Sequence, residues 1–251
     1  MSKSKISIAL VIILGVVVYY FSPMFGDNRV INQLVERNMV ARGGEDAWSK
    51  VKSLRLSGRM EIGQSTHVPY ILDQQRTQKM CIEFTFDQQK TLQCSDGKQG
   101  WKVVPFRGRN NAELLTDKEF NEVADAGDLY GLLSQEVSSS IDYLGLEKIS
   151  DKDTHKLRIT LPKGSIKFLY IDDETALEVK LETTRLVGGK ERTVTTLYSE
   201  WKDTDGLLIS HRQDTQTDGD ENSYFMTVES VEVNPTFNSI RFELPASLST
   251  K

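Results

Sequence analysis

The only imidazoles in the chain are His67, His155 and His211. None has a second ligating side chain at zinc-site spacing, so no metal centre is expected. His211 follows a turn signal, where a strand-edge structural role suits it better than that of a general base. There is no Gly-x-Ser-x-Gly elbow and no glycine-rich phosphate loop. The acidic groups Asp172-Asp173-Glu174 and Asp218-Gly219-Asp220-Glu221 sit in turns. They lack the calcium-loop spacing and read as solvated loops. No catalytic set and no cofactor motif emerges, so the expectation is a protein that binds rather than one that reacts.

Cys81 and Cys94 flank the turn Phe86-Asp87-Gln88-Gln89-Lys90. A two-residue loop at Asp87-Gln88 puts the cysteines directly opposite each other, about 4.5 Å apart at Cα and within disulfide reach. Such a bond would add about 3 kcal/mol. A four-residue loop makes them diagonal instead, and two free thiols are the remaining alternative.

The elements that position these residues are mostly strands. Val30, Ile31, Leu34, Val35 and Met39 form a helical stripe over residues 28–42, which Gly43-Gly44 ends. A short turn over 45–51 leads into a first strand with Leu54, Leu56, Gly58, Met60 and Ile62 at period two. Strands are predicted over 67–73, 79–86, 91–95 and 100–104. Residues 106–116 read as a polar loop. Thr116-Asp117-Lys118-Glu119 is a capping box opening a helix with Phe120, Val123 and Ala124. A second helical piece is predicted to carry Leu129, Leu132, Leu133 and Val137. From Leu144 to Pro245 the pattern is strand, turn, strand, punctuated by Pro162-Lys163-Gly164, Gly188-Gly189, Asp205-Gly206 and Asp218-Gly219. The expected fold is mainly β: about twelve strands in one strongly curved antiparallel sheet, with helices on its concave side.

A chain of 251 residues with 38% hydrophobic content can build a sizeable core. Its net charge of −5, with Lys and Arg dispersed, argues against nucleic acid as a partner. Residues 1–27 differ from the rest. Lys3 and Lys5 precede an uncharged apolar run over 6–21, which reaches roughly 20 residues, or about 30 Å as a helix, if extended to Phe25. An uncleaved membrane anchor, a cleaved export signal and a buried core helix remain open readings. Under the first two, residues 28–251 form the exported domain.

Several motifs then fall in a fixed order. Ala41-Arg42-Gly43-Gly44-Glu45-Asp46-Ala47-Trp48 precedes Val51-Lys52-Ser53-Leu54-Arg55-Leu56-Ser57-Gly58. Arg76-Thr77-Gln78-Lys79-Met80 follows, then Asp96-Gly97, Trp101 and Pro105. Tyr170-Ile171-Asp172, Asp205-Gly206, Ser210-His211-Arg212 and Val231-Glu232-Val233-Asn234-Pro235 complete the series, with Phe242 and Pro245 at its end. Over residues 28–246 this succession resembles the outer-membrane lipoprotein-sorting proteins, the periplasmic carriers of the LolA and LolB type.

The resemblance implies a half-open β-barrel of about 11–12 strands that holds lipid or lipoprotein acyl chains without being an enzyme. It implies a periplasmic setting, anchored or secreted, with inner-membrane and possibly outer-membrane protein partners. A regulatory sensor of the same fold, acting through a membrane protein, is the alternative. Candidate lining residues are Leu56, Met60, Ile62, Tyr70, Phe84, Trp101, Val103, Ile159, Phe168, Tyr170, Leu181 and Tyr198. Phe120, Val123, Leu129, Leu132 and Leu133 are the candidate lid. Burial of a sixteen-carbon chain, at about 0.8 kcal/mol per methylene, gives about 12 kcal/mol as an upper bound, so no covalent chemistry is needed. Two departures stand out: relatives carry Arg where this chain has Cys81, and a small residue where it has Cys94. Two paired changes to cysteine favour the disulfide over free thiols.

Overall fold

The computed structural model describes residues 28–248, apart from 63–65, 106–107, 127, 135–137, 188–189 and 221–222. The predicted anchor or signal, residues 1–27, lies outside the described residues, as does Val137. Among the described residues no helix is long and apolar enough to cross a membrane.

Helix α1 spans residues 28–41 and α2 spans Glu45–Lys50. Six strands follow: β1 (Ser53–Ile62), β2 (Thr66–Gln75), β3 (Lys79–Phe86), β4 (Gln89–Asp96), β5 (Gly100–Val104) and β6 (Arg109–Leu114). Helix α3 (Asp117–Ala126) precedes β7 (Ser140–Ile149), β8 (Lys152–Thr160), β9 (Ile166–Asp172), β10 (Glu178–Val187), β11 (Lys190–Thr204), β12 (Leu207–Thr217) and β13 (Tyr224–Val233). All thirteen strands form one sheet in the order β6-β5-β4-β3-β2-β1-β13-β12-β11-β10-β9-β8-β7. The first and last strands therefore meet in the middle, and β6 and β7 are its two margins. The sheet is antiparallel throughout and does not close.

Two expectations change. Residues 109–114 form strand β6 rather than part of a loop, and bring the count to thirteen. Residues 128–134 run as bends and turns, not as a second helical piece. There the Asp128 carboxylate accepts hydrogen bonds from the backbone N–H groups of Tyr130 (2.8 Å) and Gly131 (3.2 Å), an Asx turn that competes with helix.

Cβ atoms of directly paired residues point to the same face, so the register assigns every strand position a side. On the inner face α1 buries Ile31 and Leu34 against Leu157, Ile159, Leu169 and Ile171. Trp48 of α2 packs on Leu54 and Leu207, together with Leu129. Val123 of α3 packs on Met80 and Leu115. Gly43, at φ 117°, ends α1 where a side chain would collide with the Gly206 carbonyl of the β11–β12 turn. The Arg42 carbonyl accepts from Leu208 N at 3.0 Å beside it. Close backbone contact between helix end and hairpin thus needs glycine at this position.

The outer face carries a different load. After β13 the chain runs irregularly over β3–β6, where Phe237, Phe242, Leu244 and Leu248 cover Cys81, Cys94 and Trp101. Cys81 and Cys94 are register partners and form a disulfide, with Cα atoms 4.0 Å apart. The hairpin loop is Asp87-Gln88, with φ 47° and 60°. Asp73, 0% exposed, accepts from Arg55 Nε and Arg241 Nε, each at 2.7 Å. The terminal strap is thereby tied through Arg241 to a buried carboxylate that Arg55 of β1 also neutralises.

Replacing both cysteines by serine opens a bond with a sequence separation of 13. This should lower unfolding stability by about 3 kcal/mol, measured by urea denaturation. An unchanged midpoint would show that the packed strap alone holds β3 to β4.

Candidate functional site

Helix α3 lies across the inner face and touches both arms of the sheet. Its start is the predicted capping box: Thr116 N donates to Glu119 Oε2 at 3.0 Å, and Glu119 N donates to Thr116 Oγ1 at 3.3 Å. Toward one arm, Lys102 of β5 pairs with Glu119. Toward the other, Lys163 of the β8–β9 turn donates to Asn121 Oδ1 at 2.7 Å and covers the Phe120 ring at 4.6 Å. Arg185 of β10 stands 3.9 Å from Glu122, and Lys118 stands 3.9 Å from Glu191 of β11.

Residues 128–134 are held near the opposite end of the half-barrel. Arg76 donates from Nε to the Val51 carbonyl at 2.6 Å, and from Nη2 to the Trp48 carbonyl at 2.9 Å and the Tyr130 hydroxyl at 2.5 Å. Arg42 Nη1 donates to the Tyr130 carbonyl at 2.8 Å and faces Glu178 at 3.6 Å. Of the predicted lid residues, Phe120 and Val123 belong to α3 over β3. Leu129 joins the Trp48 cluster, and Leu132 and Leu133 join the α1 cluster.

The predicted lining residues do not share one face. Leu56, Met60, Tyr70 and Phe84 share the inner face of β1–β3, through the pairs Leu56–Leu72, Met60–Val68 and Tyr70–Phe84. Ile159, Leu181 and Tyr198 share it on the other arm. Ile159 and Leu181 pack within the α1 cluster. Trp101 and Val103 lie on the outer face beneath the terminal strap, against the disulfide. Phe168 and Tyr170 also face outward. Tyr170 is 1% exposed because Lys156 and Lys180 lie over its ring at 5.0 and 4.5 Å, and its hydroxyl donates to Glu182 at 2.9 Å. Buried aromatic character thus did not mark the inside. The Ile62 side chain lies outside the described residues.

What remains on the inner face of the central strands is a partly open, largely apolar surface, with Gln213 between Met226 and Tyr198 in the register. Met60 faces Met226 across the β1–β13 pair, and the register carries Tyr224 beyond it. Phe84, Met60, Met226 and Tyr198 are all half-buried, whereas their neighbours Val68, Tyr70 and Val228 are buried. Met226 and Tyr224 went unnoticed in the sequence, although the alternation of Val228–Val233 runs back through them. Burial pushes the phenols of Tyr70 and Tyr198 above their ordinary range. Thr91 and Thr183 have buried hydroxyls on this face without a hydrogen-bond partner among the described residues, a feature expected where water or a ligand completes the site. Two clefts, of about 810 and 650 Å³, lie outside the half-barrel, at the α1 surface and beside Phe237.

The histidines are scattered. His155 bridges the Tyr143 hydroxyl (3.1 Å) and Asp173 (2.7 Å), with no serine or cysteine among these partners. His211 is buried against the Val228 carbonyl at 2.9 Å, and His67 stands 3.4 Å from Glu61 at the surface. Among the described residues no group of three or more His, Cys, Asp and Glu is arranged to hold a metal.

Burial pulls the Glu119 carboxyl up, but its bonds from Lys102 and Thr116 prevail and leave it below the ordinary 4.5. A lowered carboxylate stabilises above its unfolded value and loses that stabilisation as pH falls below about 4.5. Loosening of α3 in acid, followed by NMR of its amides, should therefore begin below that pH and be absent in Glu119→Gln. Glu122, raised chiefly by burial, works in the opposite sense. Arg76→Ala should free residues 128–134, with amide exchange there faster by about tenfold, as loss of the Tyr130 hydroxyl bond and of the cation–π contact at 4.7 Å, together about 1.5 kcal/mol, implies. Unchanged exchange would show that the Leu129 and Leu133 contacts suffice.

No family model and no curated protein matches the sequence. Solved structures do. A domain described as an outer membrane lipoprotein-sorting protein from Vibrio parahaemolyticus aligns at TM-score 0.56 and 12% identity, over 84% of this chain and 94% of that one. A LolA superfamily protein from Nitrosomonas europaea aligns at TM-score 0.59 and 11% identity, over 84% and 97%. A DUF1329 family protein from Desulfovibrio piger aligns at TM-score 0.56 and 12% identity, over 85% and 97%.

Proposed function

For a chain with the fold of the LolA-type lipoprotein-sorting proteins, we propose a non-enzymatic carrier that holds lipid or lipoprotein acyl chains in its half-barrel. The observation that carries this reading is the half-open, largely apolar surface around Met60, Phe84, Met226 and Tyr198 on the inner face. Hydrocarbon laid on it leaves water, at about 0.8 kcal/mol per methylene, and needs no bond-making.

Release is equally physical. Helix α3 is one short amphipathic element, and most of its polar ties to the far arm are surface contacts worth at most about 1 kcal/mol each. It can lift from β9–β11 while Val123 stays on Met80. The setting we assign is the periplasm, with residues 6–25 as anchor or signal. The partners would be an inner-membrane donor and possibly an outer-membrane acceptor.

Protein purified from its native host should carry lipid detectable by mass spectrometry and move labelled lipid between vesicles. Phe84→Asp with Met60→Lys should reduce transfer at least tenfold, because each buried charge opposes hydrocarbon by several kcal/mol, while the circular dichroism spectrum stays that of the parent. Lipid-free protein with no vesicle transfer would overturn the assignment.

A further inference from the structure

The inner face of the β9–β11 arm changes character along its length. Leu181 faces Leu169 on one side and Thr196 on the other. One pleat further toward α3, Thr183 faces Lys167 and Val194; one pleat further again, Arg185 faces Arg192. Two arginines are therefore register partners on neighbouring strands, like charges whose direct opposition costs a sheet stability and which an anion shared between them would offset. Their present partners are modest. Arg185 Nε is 3.9 Å from Glu122 Oε2, and Arg192 Nη1 donates to the Asp218 carbonyl at 2.6 Å. Glu122 is a carboxylate of α3 that reaches this arm, and Arg185, Lys118 and Lys167 all act on it. Thr183, one pleat inward, adds a buried hydroxyl with no partner among the described residues.

We propose that this rim binds a phosphate-type anion, with Arg185 and Arg192 as its two principal donors and Lys167 beside them. Resting on the carrier reading above, the anion is the headgroup of a lipid whose tails lie on the Met60–Phe84 surface. Guanidinium forks match phosphate oxygens in charge and geometry. The apolar-to-cationic order from Leu181 to Arg185 is that of an anionic amphiphile held tail inward. Bound there, the anion would displace Arg185 from Glu122 and weaken one tie of α3 to this arm.

The test compares uptake of dioleoyl phosphatidylglycerol and of dioleoylglycerol from vesicles by the full chain, with inorganic phosphate in a separate calorimetric titration. Preference for phosphatidylglycerol of about tenfold, falling with added salt and abolished in Arg185→Gln/Arg192→Gln, is the expected result. Dioleoylglycerol uptake should be the same in variant and parent, which also shows that the variant folds. Saturable binding of inorganic phosphate, lost in the variant, with no preference between the lipids, would uphold the anion site and assign it a free anion. Equal uptake of both lipids without phosphate binding would overturn the site and leave the carrier reading standing. Uptake of neither lipid would remove the carrier reading and the headgroup assignment together.

Discussion

Between Leu114 at the end of β6 and Ser140 at the start of β7, the chain must pass from one margin of a thirteen-stranded sheet to the other. Laid flat, strands spaced about 4.8 Å apart would put those margins about 58 Å apart. Much of the connecting segment is spent in α3, which advances only about 1.5 Å per residue. A strongly curled sheet shortens the crossing and leaves its concave side as the route. Helix α3 and the turns at 128–134 therefore occupy the hollow as a consequence of topology. The Phe120 and Val123 contacts, the Arg76 bond to the Tyr130 hydroxyl and the short reach from Glu122 to Arg185 all follow from that crossing.

The two faces of the sheet divide the work. On the outside, the disulfide, the Asp73 carboxylate between Arg55 and Arg241, and the aromatic strap give a closely packed surface. On the inside, α1 and α2 fill one end around Leu157 and Trp48. The remainder, at Met60, Phe84 and Met226, is left partly open. A protein that stores its rigidity on the outer face can tolerate loose packing within. Unmade contacts inside are a cost to stability, and Asp73 and the cysteines lie in the outer layer where they offset it.

Much of this architecture was legible beforehand. Period-two alternation marked most strands, the Thr116–Glu119 box placed the start of α3, and the two-residue loop at Asp87-Gln88, one of the readings left open there, puts Cys81 opposite Cys94. What escaped has identifiable causes. Strand β6, Arg-Asn-Asn-Ala-Glu-Leu, is a margin strand with little to bury, so it has no alternation to show. Alternation tells which residues share a side, not which side is concave. Tyr170 and Trp101 looked like lining, yet they are buried outside by lysine stems and by Phe242. The strap packs Phe237, Phe242 and Leu244 from an irregular chain, which no periodicity reveals. At 128–134 the leucines suggested a helix, but Asp128 and Gly131 made turns.

The meeting of β1 with β13 has a bearing on biosynthesis. A ribosome delivers β1 first among the strands and β13 after all the others, so the ladder from Leu54–Val233 to Ile62–Tyr224 stays incomplete until the whole sheet has been synthesised. Until then β1 presents a row of unsatisfied amides and carbonyls, open to pairing with a stranger. Nascent chains of this protein thus need shelter or rapid passage, and a truncation anywhere before Val233 removes a strand from the middle of the sheet rather than from its margin.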